Sequence, residues 1–342
     1  MANHQSMMNI TLLLRHHGVG YSIENLFRGI ANQLGCSDVD SVQIATAPYI
    51  SHNLFNVGKN IVYFWTHRNK AVHITGDIHY AAIALQAKGT LLTIHDCVLL
   101  ERNRSRPVRF VLFWLLWYYW PICKAGIVTT VSEKTRQDLR RYVGKLADKI
   151  VVIPNSYDPA FVHNPQPFNT QKPILLHIGT ALHKNLNRLI DAVHELPCRL
   201  LIVGELSTAE TDKLRRCRID YENHAAVSPS ELVTLYNQCD LVTFVSLYEG
   251  FGMPIIEAQA VGRPVVTSQL SPMTEVGGAA GACYVNPTDV AAIRRGILRV
   301  WHDAPYRDQL TQAGLLNAEH YTVMRIAARY AALYEQLNQP PT

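Results

Sequence analysis

Short apolar runs rich in β-branched residues alternate along the chain with stretches whose apolar residues recur every three or four positions. Residues 10–14 form the first run, and behind it Ile23, Leu26, Phe27, Ile30 and Leu34 keep helical spacing. Runs at 71–75, 90–94 and 127–131 continue the series. It restarts after a proline-rich polar stretch, HNPQPFNTQKP, with a run at 174–178. An amphipathic helix carrying Leu186, Leu189, Ile190 and Val193 follows, and then the strand RLLIV. Strands that alternate with helices predict parallel sheets, and the restart predicts two of them. The boundary is expected near residue 168, giving domains 1–168 and 169–320, with a last helix in 321–342.

Residues 241–268 carry the densest information. Apolar runs at 241–246 and 264–267 bracket a loop, LYEGFG, and a helix that should start at about Pro254 and stop at Gly262. The loop therefore leaves the carboxyl end of a strand and feeds a helix amino terminus, where open α/β sheets bind ligands and free N–H groups favour anions. Glu249 in the loop and Glu257 one turn into the helix would point their carboxylates at one crevice. Phosphate alone would be repelled there. A sugar nucleotide would not be, because its hydroxyls donate to carboxylates while its diphosphate meets the helix start.

Length, charge and cysteines narrow the class. A chain of 342 residues accommodates two domains of ordinary size. A net charge of +5 suits anionic ligands or an anionic membrane surface and is too weak to indicate nucleic acid. Seven scattered cysteines without a CxxC pair indicate reduced thiols and a cytoplasmic setting, and no signal peptide is expected.

Three further stretches carry candidate chemistry. Gly18 and Gly20 form a glycine turn after the first strand, without the G-x-G-x-x-G spacing that a nicotinamide-dependent oxidoreductase would need. The segment HITGDIHYAA carries His73, Asp77 and His79, three polar groups that could form a metal site, and acceptor binding by Asp77 and His79 is the preferred reading. The aromatic segment FVLFWLLWYYWPI follows Arg102, Arg104, Arg106 and Arg109. It is too short to span a bilayer, and two readings stay open, a buried helix or a membrane-surface helix within 102–122.

The stretch E-G-F-G-M-P-I-I-E, from Glu249 to Glu257, resembles the E-G-F-G-x-P-x-x-E signature of retaining glycosyltransferases of the GT-B fold, in particular the mannosyltransferase-like bacterial group of family four. The likeness continues through Gly262, Pro264 and Glu275. It implies an α/β GT-B architecture: two Rossmann-like domains facing across a cleft, with the C-terminal helix packing back on the first. It implies donor contacts from Gly18, Gly20, Thr180, His183, Lys184, Glu249, Gly250, Phe251, Gly252, Met253 and Glu257. Lys184, in GTALHKNL, would meet the diphosphate, although the arginine that many relatives place beside it is replaced by Thr180 and His183. His95, in T-x-H-D, resembles the cleft histidine that approaches donor sugar and acceptor. The expected activity is transfer of a sugar, with mannose from GDP-mannose as first choice, to a glycan or lipid-linked glycan, without metal or other cofactor. A catalytically silent donor-binding subunit is the rival reading.

Overall fold

The computed structural model describes residues 9–16, 21–35, 41–68 and 70–338. Gly18 and Gly20 lie outside the described residues. The chain forms two contact-dense units, one of residues 1–156 and 323–342, the other of 157–322.

The first unit holds a parallel sheet of β1 (Asn9–Leu14), β2 (Ser41–Thr46), β3 (Ala71–Ile74), β4 (Thr90–Ile94), β5 (Ile127–Thr130) and β6 (Val151–Val152), in the order β2-β1-β3-β4-β5-β6. Strand period two sends alternate side chains to opposite faces. Leu13, Leu92 and Ile94 join a core with the Leu54–Trp65 helix and the aromatic segment, whereas Ile10, Leu12, Leu14 and Leu91 join another with the Tyr21–Gly35 helix. The Val323–Asn338 helix returns to this unit. It buries Ile326, Tyr330 and Tyr334 in the second of these cores.

The second unit holds β7 (Ile174–Ile178), β8 (Arg199–Val203), β9 (Asp220–His224), β10 (Leu241–Phe244), β11 (Val265–Ser268) and β12 (Cys283–Val285). Their order, β12-β11-β10-β7-β8-β9, is that of a Rossmann sheet, in which β7 and β10 flank the point where strand order reverses.

The division between the units lies at Ser156/Tyr157, earlier than the proline-rich stretch suggests. That stretch is tied to the second unit: Asn164 N–H donates to Val261 O (3.3 Å), Gln166 Nε2 to Cys239 O (2.9 Å) and Asn169 N–H to Asp240 Oδ1 (2.8 Å). Four edge strands, β2, β6, β9 and β12, and several helices, the Leu54–Trp65 helix among them, have no counterpart among the predicted elements. β9 reads DYENH, polar because it lies at an edge. The Leu54–Trp65 helix carries apolar side chains on its outer side as well as on the buried one.

Candidate active site

The donor side is assembled at the reversal point of the second sheet. Two loops meet there, one leaving β7 and one leaving β10. In the first, Gly179 takes φ +94°, and a Cβ on it would lie 2.9 Å from Lys184 Cγ, so the lysine stem occupies the space that only glycine leaves. Asn185 closes this loop in the left-handed region at φ +66°. Its buried Nδ2 donates to Val245 O (2.9 Å) and Pro287 O (2.8 Å), and its Oδ1 accepts from Arg188 Nη1 (2.9 Å). A conformation unusual for a residue with a Cβ is thus held by bonds to the loops that follow β10 and β12.

In the second loop, Gly252 takes φ +118° as the N-cap of the Met253–Val261 helix, with Pro254 in its first turn, and Gly262 (φ +79°) ends it. The start and stop expected from sequence fall in place. Leu247 N–H donates to His183 O at 2.7 Å and ties the two loops together. This brings Lys184 Nζ to 2.8 Å from Glu249 Oε1, with both side chains largely sheltered from water. The ammonium also lies 4.9 Å from the centre of the Phe244 ring.

The other donor-side residues divide by environment. Thr180 Oγ1 donates to Glu205 O at 2.6 Å and joins the β7 and β8 loops. Gly250 and Met253 are half-buried at the start of the helix. Phe251 is buried, edge-on to Tyr321 with centroids 5.8 Å apart, so its ring serves the fold of the loop. Glu257 is 9% exposed and accepts a 2.6 Å hydrogen bond from Tyr236 OH. Burial raises its pKa to about 7, opposed by the Tyr236 bond and the Lys184 charge and reinforced by Asp158. Tyr236 itself titrates well above the ordinary tyrosine range because it is buried beside that carboxylate.

The acceptor-side candidates belong to the first unit. His95 Nε2 lies 2.7 Å from Thr75 O; a carbonyl can only accept, so Nε2 carries the proton and Nδ1 the lone pair. Burial lowers the His95 pKa and favours the neutral ring. Asp77 is mostly exposed, 3.6 Å from Arg15 Nη1. His79 is buried, with Nδ1 donating to Trp117 O at 2.8 Å, and burial pulls its pKa down to about 4. His73 faces elsewhere: its ring nitrogens lie 2.7 Å from Tyr334 OH and 2.7 Å from Thr93 Oγ1 in the core under the C-terminal helix. His73, Asp77 and His79 therefore turn in three directions, which does not make a metal cage.

The aromatic segment is neither wholly core nor wholly surface. Residues Trp114–Tyr119 form a π-helical turn whose Trp117 and Tyr118 are buried. Such turns leave backbone groups outside the regular ladder, frequently at functional sites. Here Trp117 clamps the 77–79 loop twice, since its carbonyl accepts from His79 and its Nε1–H donates to Asp77 O at 2.7 Å. Trp114 Nε1 donates to Tyr142 O (2.9 Å), whereas Val108, Val111 and Trp120 are exposed. Among these positioning residues, Asn185 and Trp117 were invisible as such in the sequence. Tyr236 sits at a helical core position, and no local signal distinguishes it from an ordinary core tyrosine.

Comparison with known proteins decides the family. The model described as "Glycosyl transferases group 1" matches residues 160–316, and "Glycosyltransferase Family 4" matches 41–161. The chain belongs to glycosyltransferase family four, of the GT-B fold. The O-antigen chain mannosyltransferase B of Escherichia coli is 29% identical over 67% of this chain and 66% of its own length. The GDP-mannose:cellobiosyl-diphosphopolyprenol alpha-mannosyltransferase of Komagataeibacter xylinus is 27% identical over 58% of this chain and 54% of its own. The matched part of the chain thus spans just under two thirds of the first relative's length and about half of the second's. Among solved structures, Anabaena Alr3699/HepE in complex with UDP and glucose superposes with a TM-score of 0.74 at 18% identity, over 96% of this chain and 99% of that one. At that identity the likeness speaks for the fold.

Proposed function

We propose that this glycosyltransferase moves a sugar, mannose from GDP-mannose as first choice, from a nucleotide-sugar to a hydroxyl of a glycan or lipid-linked glycan, with retention of anomeric configuration, in the synthesis of a cell-surface polysaccharide such as lipopolysaccharide. The observation that carries the reading is the Lys184–Glu249 pair at the reversal point of a Rossmann sheet, beside a helix start. The mannosyltransferase relatives support the choice of sugar and acceptor.

In this reading the acceptor oxygen attacks the anomeric carbon as its bond to the diphosphate breaks, and the acceptor proton passes to the leaving phosphate oxygen. Lys184, with three N–H donors, keeps one on Glu249 and offers the others to the diphosphate, where charge grows in the transition state. Glu249 orients the sugar hydroxyls. Glu257, held by Tyr236, takes the ribose. Neutral His95 offers its Nδ1 lone pair to a hydroxyl on sugar or acceptor, and Asp77 binds the acceptor. His79, committed to Trp117, supports this loop from beneath. No metal is required for the charge of the leaving group in this scheme. The protein is proposed to act on the cytoplasmic side, at the inner face of the membrane, with the 102–122 stretch as a peripheral contact; no described helix is long and apolar enough to cross a bilayer. Nucleic acid is not a partner.

Product analysis with a panel of nucleotide-sugars and a lipid-linked acceptor tests the reading. An α-mannoside formed from GDP-mannose, undiminished by a chelator, is the expected result. Activity abolished by the chelator and restored by manganese would remove the metal-free scheme. Donor binding without turnover on any acceptor would favour the silent subunit.

A further inference from the structure

The Leu54–Trp65 helix presents an apolar face to solvent that nothing in the fold accounts for. Val57, Asn60 and Phe64 are buried on its inner side. On the outer side Phe55 is 70% exposed, Val62 73% and Trp65 54%, and the 55, 59, 62, 65 spacing places them with Lys59 on one face. An amphipathic surface helix normally turns charged and polar residues outward. The cations of this region lie on the aromatic rings: Lys59 Nζ is 4.4 Å from the Phe55 centroid and 4.8 Å from that of Tyr49, and Arg68 is 4.7 Å above Trp65.

The charge pattern names the occupant. No Asp or Glu occurs from Ser41 to Gly76, nor from Arg102 to Ser132, while these two segments carry Lys59, Arg68, Lys70, Arg102, Arg104, Arg106, Arg109 and Lys124. Both pack on the same hydrophobic core of the first unit, and the second exposes Val108 and Val111 beside its arginines. A protein partner is ordinarily met by both signs of charge interspersed with apolar groups. Apolar side chains with a single sign of charge, on two segments that pack on one core, match an anionic leaflet, where aromatic rings settle at the headgroup level and cations at the phosphates.

We propose that the outward face of the Leu54–Trp65 helix is a docking surface for an anionic lipid bilayer, inserting Phe55, Val62 and Trp65 while Lys59, Arg68 and the 102–109 arginines hold the headgroups. This deepens the peripheral contact proposed for 102–122, whose central aromatics are buried, by assigning the inserted groups to a different helix.

The experiment is co-sedimentation of the full chain with vesicles of phosphatidylglycerol and phosphatidylcholine, and with phosphatidylcholine alone, at low and high salt. The wild type should bind the anionic vesicles in a salt-sensitive way. A Phe55→Ser/Trp65→Ser double variant, altered at exposed positions, should keep its melting temperature and lose binding about tenfold or more. An Arg104→Gln/Arg106→Gln variant should lose on the order of twentyfold, at roughly fivefold per cation. Unchanged binding in Phe55→Ser/Trp65→Ser, with loss in the arginine variant, would overturn the inference and leave the 102–122 contact standing. No vesicle binding by the wild type would overturn both, and concentration-dependent self-association abolished by the double variant would overturn the inference alone.

Discussion

Lys184 Nζ and Glu249 Oε1 stand 2.8 Å apart although 65 positions separate them in the chain, because β7 and β10 are neighbours in the second sheet and each ends in a loop at the same edge. The pair joins the group that would neutralise a departing diphosphate to the group that would hold the sugar. It is more than a surface ion pair, since both side chains are mostly buried.

Replacing either partner should show that they act as a unit. Glu249→Ala is expected to lower turnover by about two to three decades with the fold intact, the range for one transition-state contact, and Lys184→Ala to weaken donor and nucleoside diphosphate alike. The double variant should fall short of the product of the two losses. Steady-state kinetics and product titrations on the four proteins measure this, and strictly multiplicative losses would separate the two roles.

Glu257 should make stability depend on pH near neutrality. Its pKa rises from 4.5 to about 7 on folding, so its contribution is fully present below pH 4.5 and is lost as pH climbs through 7. The loss relative to Glu257→Gln is about 3 kcal/mol at most, from roughly 1.4 kcal/mol per unit. Melting temperatures of both proteins across this window test it; parallel curves would show that Glu257 stays ionised in the fold. Tyr236→Phe removes a bond that favours the carboxylate, so the midpoint should move upward.

Trp117 and Trp120 should behave oppositely. Trp117 is 4% exposed and packs against Tyr80 and Phe113, so Trp117→Ser is expected to cost about 3–5 kcal/mol. Trp120, at 49% exposure, should tolerate the same change within about 0.5 kcal/mol. The milder Trp117→Phe frees Asp77 O and should raise the acceptor KM while sparing donor affinity. Denaturant melts and separate donor and acceptor titrations distinguish these effects.

Tyr334→Phe should loosen the C-terminal helix. The Tyr334 OH is bonded to His73 Nδ1, and both are fully buried, so the variant strands a polar nitrogen at a cost of about 1–3 kcal/mol. Hydrogen exchange of 323–338 should rise with the loss of stability. Unaltered exchange would mean that the apolar contacts of Ile326 and Tyr330 hold the helix by themselves.

The sequence by itself determined the alternation of strand and helix, the capped helix from Met253 to Val261 and the chemistry of its flanking acids, because glycine, proline and apolar spacing act within a few residues of where they stand. Ser132 and Ser228 illustrate the same point: each stands just before a helix, and its hydroxyl accepts from the backbone N–H three residues on. The tertiary structure alone decided which distant groups meet and which apolar surface stays wet. Lys184 reaches Glu249, and Asn185 takes a left-handed turn, through strand order, which no local spacing encodes. His79 and Asp77 lie two residues apart, yet one is buried under Trp117 and the other is exposed, because a short 3-10 turn beginning at His79 changes the side-chain direction. The segments 54–65 and 110–122 are both rich in apolar residues, and periodicity alone cannot say which face of either is covered. Packing buried Trp117 and Tyr118 and left Phe55, Val62 and Trp65 to the solvent.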